Sequence, residues 1–196
     1  MTDAGLPLVF ALTGASGAPY AVRTLELLAR HHVPVWLIVS GHGSRLLAEE
    51  CGIRSIAELQ AATGGDWSTI TPFDDADRGA KPASGSQRTR GMLVCPCSMG
   101  TVSAIAHGTS RSLVERAADV TLKERRRLVV VPRETPLSVV HLRNLTTLAE
   151  AGATVLPAAP GYYHRPTRIE ELVDFIAQRI LDQFDIAIET APRWGE

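Results

Sequence analysis

Short apolar runs alternate with segments of helical period along nearly the whole chain, and this alternation restricts the fold more than any other feature. Leu8–Thr13, Val33–Ser40, Met92–Val94, Leu128–Val131 and Thr154–Leu156 read as strands. Between them Tyr20–Arg30, Gly43–Glu50, Ile56–Ala62, Val102–His107, Ser112–Glu124, Val139–Ala151 and Arg168–Gln183 read as helices. The strands lack polar alternation, so both of their faces are expected to be buried. That pattern belongs to a parallel sheet covered by helices on each side. Right-handed crossovers then give a three-layer, doubly wound α/β domain, Rossmann- or flavodoxin-like. No repeat or linker divides the 196 residues, so 1–196 is read as one domain. Thr63–Gln87, rich in Gly, Asp, Pro and Ser, reads as a long polar loop, and Ala187–Glu196 as an irregular polar tail.

Charge narrows the function. A net charge of −1 argues against a nucleic-acid partner. The charge is uneven, however: residues 111–136 hold seven Arg/Lys against four Asp/Glu. A local basic cluster on a neutral chain suits a small anionic ligand such as a phosphate. Cys51, Cys95 and Cys97 form no disulfide framework, which fits a reducing cytoplasm. Met1–Pro7 has neither a basic start nor a long apolar core, so no signal peptide is expected. No apolar run reaches the length of about 20 residues that spans a membrane.

Candidate site residues gather where strands end, which is where open α/β sheets bind ligands. Thr13-Gly14-Ala15-Ser16-Gly17-Ala18 links the first strand to the first helix, and its glycines permit a tight turn beneath a helix N-terminus that can receive an anion. It falls short of G-x-G-x-x-G, and the second strand ends in Ser40 where a dinucleotide fold places an acid. FMN therefore fits better than NAD, and a plain turn is the bland alternative. Pro82-Ala83-Ser84-Gly85-Ser86 has the small residues that let backbone approach a flat ligand, or else is a linker. Cys95-Pro96-Cys97 lacks the second cysteine pair of a zinc site, so its thiols read as small buried hydrophobes. Ser98 and Thr101 suit a helix cap or a polar ligand edge. Arg116 and Lys123 share a helix face, with Asp119 beside them as an alternative partner for Arg116. Arg125–Arg127 reads as a solvated run. Pro132-Arg133-Glu134-Thr135-Pro136 places a cation and an acid side by side between prolines, either as a site or as an exposed ion pair. Tyr163 offers a hydroxyl donor, His164 a possible base, and Arg179 flanks the apolar stripe of the last helix.

Taken in order, these segments resemble the UbiX-type flavin prenyltransferases from about Val9 to Glu196. The resemblance rests on Gly14–Gly17, Pro82–Ser86, Cys95–Thr101, Glu115–Val120, Leu122–Arg126, Val131–Pro136, Leu156–Gly161 and Pro192–Glu196. It implies transfer of a dimethylallyl group from dimethylallyl phosphate to N5 and C6 of reduced FMN, without a metal. The product, prenylated FMN, would serve UbiD-type decarboxylases. A homododecamer with sites between subunits is implied as well. Carried over by position, Gly14, Ala15, Ser16, Ser40, Ser84, Ser98, Thr101 and Arg116 match flavin contacts. Lys123, Arg133, Tyr163 and Arg179 match the group that holds the prenyl phosphate. Glu134 matches the acid/base residue, and Ser16, Arg133 and Lys123 join it as catalytic candidates. Trp194 matches a tail tryptophan near the prenyl group.

Three readings compete. FMN-dependent cysteine decarboxylases of the same fold carry Pro-x-Met-Asn where this chain has Pro132-Arg133-Glu134-Thr135, and an Asn where it has Gly85-Ser86. An NAD-dependent reductase is weakened by Ser40. A non-catalytic flavin-binding subunit of a decarboxylase would bind FMN without turnover.

Overall fold

A computed structural model describes residues 5–191, Arg193 and Gly195. Trp194 lies outside the described residues. The strands are β1 (Leu8–Leu12), β2 (Val35–Val39), β3 (Ile70–Asp74), β4 (Gly91–Cys97), β5 (Leu128–Pro132) and β6 (Thr154–Val155). The helices are α1 (Ala18–Arg30), α2 (Gly41–Cys51), α3 (Ile56–Ala62), α4 (Met99–Ala106), α5 (Leu113–Lys123), α6 (Val139–Glu150) and α7 (Ile169–Gln183).

All strand pairings are parallel, in the order β3-β2-β1-β4-β5-β6. This is the doubly wound architecture expected from the alternation of apolar runs. β1, β4 and β5 are buried along their full lengths, as both-faced burial requires. Their alternate side chains feed two cores. Leu8, Phe10 and Leu12 point to the α1 and α7 side, with Leu25, Leu28 and Ile180. Val9 and Ala11 point to the α4 and α5 side, with Val102, Leu113 and Leu148.

The polar stretch 63–87 is not a continuous loop, because it contains β3. Its pattern misled because β3 is an edge strand, exposed at Thr71, Pro72 and Asp74. Pro72 is tolerated there, since an edge strand leaves one side of its ladder unpaired. β4 also runs further than expected, through Cys95-Pro96-Cys97, with a register shift between Val94 and Cys97 where the proline intervenes. The tail is less free than its composition suggests. Ile186 and Ile188 are buried in the α1–α7 core, and Thr190 donates its N–H to Gln178 Oε1 at 2.7 Å.

Candidate active site

Strand order reverses at β1, with β2 and β3 on one side and β4 to β6 on the other. The crevice at such a switch point is the expected ligand position. Thr13 builds its floor. Its buried hydroxyl donates to Pro96 O at 2.9 Å and accepts from Ser98 N at 2.9 Å, stitching the ends of β1 and β4 together. Gly14 is required by packing, because a Cβ there would sit 2.5 Å from His42 Cβ.

Three helices begin at this crevice, and they end their N-termini differently. α2 is capped by Ser40, whose Oγ accepts from Gly43 N at 3.1 Å. α4 is capped by Ser98, whose Oγ accepts from Thr101 N at 3.2 Å and pairs with Thr101 Oγ1 at 3.0 Å. Each cap uses one oxygen lone pair. The remaining first-turn N–H groups of both helices keep no intrahelical acceptor. Ser40, Ser98, Thr101, Gly14 and His42 line a cavity of about 230 Å³ between them. Asp75 and Glu115 also face it, but both are engaged. Asp75 Oδ1 accepts from Val114 N at 2.9 Å, and Glu115 is held by Arg111 and Thr109. Burial raises the Glu115 carboxyl, and the Arg111 and Thr109 contacts outweigh this to leave it below the usual carboxylate range.

α1 is closed by another route. Gly17 offers no capping side chain, and the N–H groups of Gly17 and Ala18 both donate to Glu50 Oε2 at 2.8 Å. The first-helix N-terminus, expected from sequence to receive a ligand anion, is therefore filled by the protein's own carboxylate. Desolvation raises the Glu50 carboxyl, but the Gly17 N–H, the Ser16 hydroxyl, the Ala18 N–H and the Arg133 charge together hold it below the usual range. Arg133 thus lies within electrostatic reach of Glu50, without an ion pair to it. Arg133 is also felt by Tyr20, whose phenol is pushed up by burial, Cys95 and Tyr162 despite the opposing arginine. Glu50 was not legible as a site residue, although a glycine N-cap signals that an acceptor must come from elsewhere.

Arg133 follows β5, and its Nε is buried without a hydrogen-bond partner among the described residues. Its neighbour Glu134 is exposed, and its Oε1 accepts from Thr135 N at 3.0 Å. The two side chains form no ion pair with each other, so the exposed-pair alternative does not describe them.

The other sequence candidates lie apart. Arg116 pairs with Asp119 at 3.0 Å, and Lys123 with Glu124 at 2.6 Å, so the two cations of α5 do not converge. Lys123 ends a helix that returns to the amino end of β5, the opposite end of the sheet from Arg133. There it adjoins Gly85, where a Cβ would meet Lys123 Nζ at 2.9 Å. Ser84 Oγ pairs with Ser86 Oγ at 2.9 Å in the same loop. Arg126 is not a solvated residue: its guanidinium donates to Gln87 O and Gly85 O, each at 2.6 Å, and so fixes that loop. Tyr163 and Arg179 share a third place, a cavity of about 250 Å³ along α7. Arg179 pairs there with Asp182 at 3.1 Å. His164 stacks on Phe175 with ring centroids 5.9 Å apart, and both of its nitrogens are buried without a partner among the described residues. Cys95 and Cys97 are fully buried and burial pushes both thiols up, so they behave as the packing residues that their spacing suggested. No group of three or more potential metal ligands gathers among the described residues.

The Flavoprotein family model matches residues 2–181. A flavin prenyltransferase UbiX of Pseudomonas aeruginosa is 45% identical over 196 aligned positions, covering 96% of this chain and 94% of that protein. A UbiX of Halalkalibacterium halodurans is also 45% identical, covering 94% and 91%. Among solved structures, a UbiX protein in complex with FMN and dimethylallyl pyrophosphate superposes with a TM-score of 0.88 at 38% identity, covering 97% of this chain and 98% of its own. A dodecameric FMN-dependent UbiX-like decarboxylase from Escherichia coli O157:H7 gives 0.90 at 38% identity, covering 97% and 100%. The cysteine decarboxylase TvaF, at 13% identity and 0.63, shares the fold alone.

Proposed function

Since the chain belongs to the Flavoprotein family and, within it, to the UbiX-type flavin prenyltransferases, we propose that it moves a dimethylallyl group from dimethylallyl phosphate to N5 and C6 of reduced FMN. The observation that carries the site assignment is the buried Arg133 Nε. A guanidinium N–H removed from water without an acceptor is costly. It fits an anion bound at the carboxyl end of β5, next to Ser16 and Glu50.

The residues present fit FMN. The Ser40, Ser98 and Thr101 hydroxyls surround the cavity between α2 and α4, and the first-turn N–H groups of those helices supply an anion site for its phosphate. When bound, reduced flavin supplies the nucleophilic ring nitrogen. Around it, Arg133 would stabilise charge growing on the departing phosphate. Glu134, exposed on the same loop, would accept or return a proton at its carboxylate oxygens. Glu50 holds Ser16 and the α1 turn in place, so that Arg133 faces a fixed partner.

Lys123, at the opposite end of the sheet from Arg133, would reach this centre from another copy of the chain, and Tyr163 and Arg179 would join it at the same contact. The segment after Glu134 suits such a contact: Leu137, Val139, Val140 and Leu142 are 42–62% exposed. We place the site between subunits of a homododecamer. We also propose a UbiD-type decarboxylase as recipient of the product and the cytoplasm as its location. The three cysteines are free, and no described helix is long and apolar enough to cross a membrane.

Anaerobic incubation with reduced FMN and dimethylallyl phosphate, read by mass spectrometry, should yield flavin heavier by one prenyl unit. Recovery of unmodified FMN alone would overturn the proposal.

A further inference from the structure

One cavity, of about 950 Å³, is not at the carboxyl ends of the strands. It lies at their amino ends, among the residues that lead into β4, β5 and β6. Arg88 and Arg90 form one wall, and Arg125, Arg126 and Arg127 the other. Phe184, the C-cap of α7, is an apolar part of the lining. Asp185 is the only acid among the lining residues, and it is engaged by Arg127 at 2.9 Å.

Five arginines against the single acid Asp185 leave this lining with a surplus of positive charge that favours an anion. Three already have partners. Arg126 holds the Gly85 and Gln87 carbonyls, Arg127 holds Asp185, and Arg90 has interactions of its own. Arg88 and Arg125 have no ion pair recorded among the described residues. Arg125 adopts a left-handed backbone, with φ of 54°, which is uncommon for a residue with a side chain. That conformation turns the chain sharply between the end of α5 and the start of β5. A second observation points the same way: Thr89 Oγ1, between the two arginines of the first wall, is buried without a hydrogen-bond partner. A buried hydroxyl without a partner is rare enough to need an explanation.

We infer that this cavity binds a small oligophosphate, with Arg88, Arg125 and the Thr89 hydroxyl as its free donors. Guanidinium groups take phosphate oxygens in pairs, and several of them around one space favour several charges over one. The volume lies within the range of small-molecule sites. Within one copy the cavity lies at the opposite end of the sheet from Arg133. It is joined to the Ser84 loop, because Arg126 stands in this wall and donates to Gly85 O.

The test uses the assembled, FMN-loaded protein titrated calorimetrically with inorganic tripolyphosphate at low and physiological salt. Binding that weakens as salt rises is expected. The Arg88→Gln, Arg125→Gln double variant should lose affinity on the order of a hundredfold, roughly tenfold per charged donor, with prenyl transfer unchanged. Arg133→Gln should retain tripolyphosphate binding. The inference is overturned if the wild type binds none, or if binding disappears with Arg133→Gln and survives in the double variant. It is equally overturned if the double variant changes the mass of the assembly, which would make this face a contact between copies.

Discussion

The N-termini of α1 and α2 follow the adjacent strands β1 and β2 at the same end of the sheet, and they are finished in opposite ways. At α1 a full carboxylate from Glu50 takes the N–H groups of Gly17 and Ala18. At α2, and likewise at α4, a neutral serine oxygen takes a single N–H. The helix dipole favours an anion at each of them. α1 has already been given one by the protein, whereas α2 and α4 remain open to one from a ligand. The reaction involves two phosphates, one that stays on the flavin and one that is released when the donor's allylic C–O bond breaks. The difference in capping separates them. The stationary phosphate suits the α2–α4 side, where it meets dipoles and hydroxyls. The departing phosphate suits the α1–β5 side, where a mobile charge is better met by the Arg133 guanidinium than by a helix end already neutralised.

That division is broken most directly at Glu134, on the α1–β5 side. Glu134→Gln should lower turnover by about 10²–10⁴, the usual contribution of a positioned acid or base, and should leave FMN affinity unchanged. Steady-state rates measured beside a flavin titration decide it. FMN affinity that falls while turnover holds would place binding, not proton handling, on this loop.

A smaller effect is expected on the other side. Ser40→Ala removes both a cap and a hydroxyl facing the cavity. FMN affinity should fall roughly tenfold, the scale of one lost hydrogen bond to a charged group. Stability should fall by about 1 kcal/mol from the lost cap. Glu50→Gln should show the reverse profile: FMN affinity kept, and the KM for dimethylallyl phosphate raised as the charge that faces Arg133 is lost. Equal losses of FMN affinity in the two variants would erase the distinction between the helix ends.

What could be read in advance follows the same line. β1, β4 and β5 were legible because central parallel strands are apolar on both faces. β3 was not, since an edge strand exposes half its residues and admits Pro72. Ser98 was legible as a cap because caps are local: the serine and the N–H it accepts lie three residues apart, as they also do at Ser40, which was read only as a ligand contact. Glu50 was not, because its carboxylate reaches Gly17 across 33 residues and nothing near either residue announces the other. Arg116 meets Asp119, the alternative partner that helical spacing allowed, and Lys123 meets Glu124, so adjacency on a helix does not decide which charge a side chain meets. Arg126 was lost among three arginines in a row, where only the fold reveals which one turns inward to the carbonyls of Gly85 and Gln87.

The smallest effect concerns acid. Glu50 has its folded-state acidity shifted below the usual carboxylate range. A carboxyl shifted in that direction contributes stability fully present above its unfolded value, about 4.3. The contribution is lost as pH falls through the lower, folded value. Glu115 and Asp182 are shifted the same way, so removing Glu50 takes away only a share of the acid sensitivity. Melting temperatures followed downward from neutral pH should therefore separate the two kinds of helix end. The Glu50→Gln curve should lie below wild type near pH 7, approach it as pH falls from about 4.3, and converge with it below the lowered folded value, because both then lack the charge. The Ser40→Ala curve should run parallel to wild type throughout, since a serine cap carries no titrating group. A Glu50→Gln curve that also ran parallel would mean that the α1 N-terminus is held by hydrogen bonds alone, and that the charge contrast between α1 and α2 does not operate.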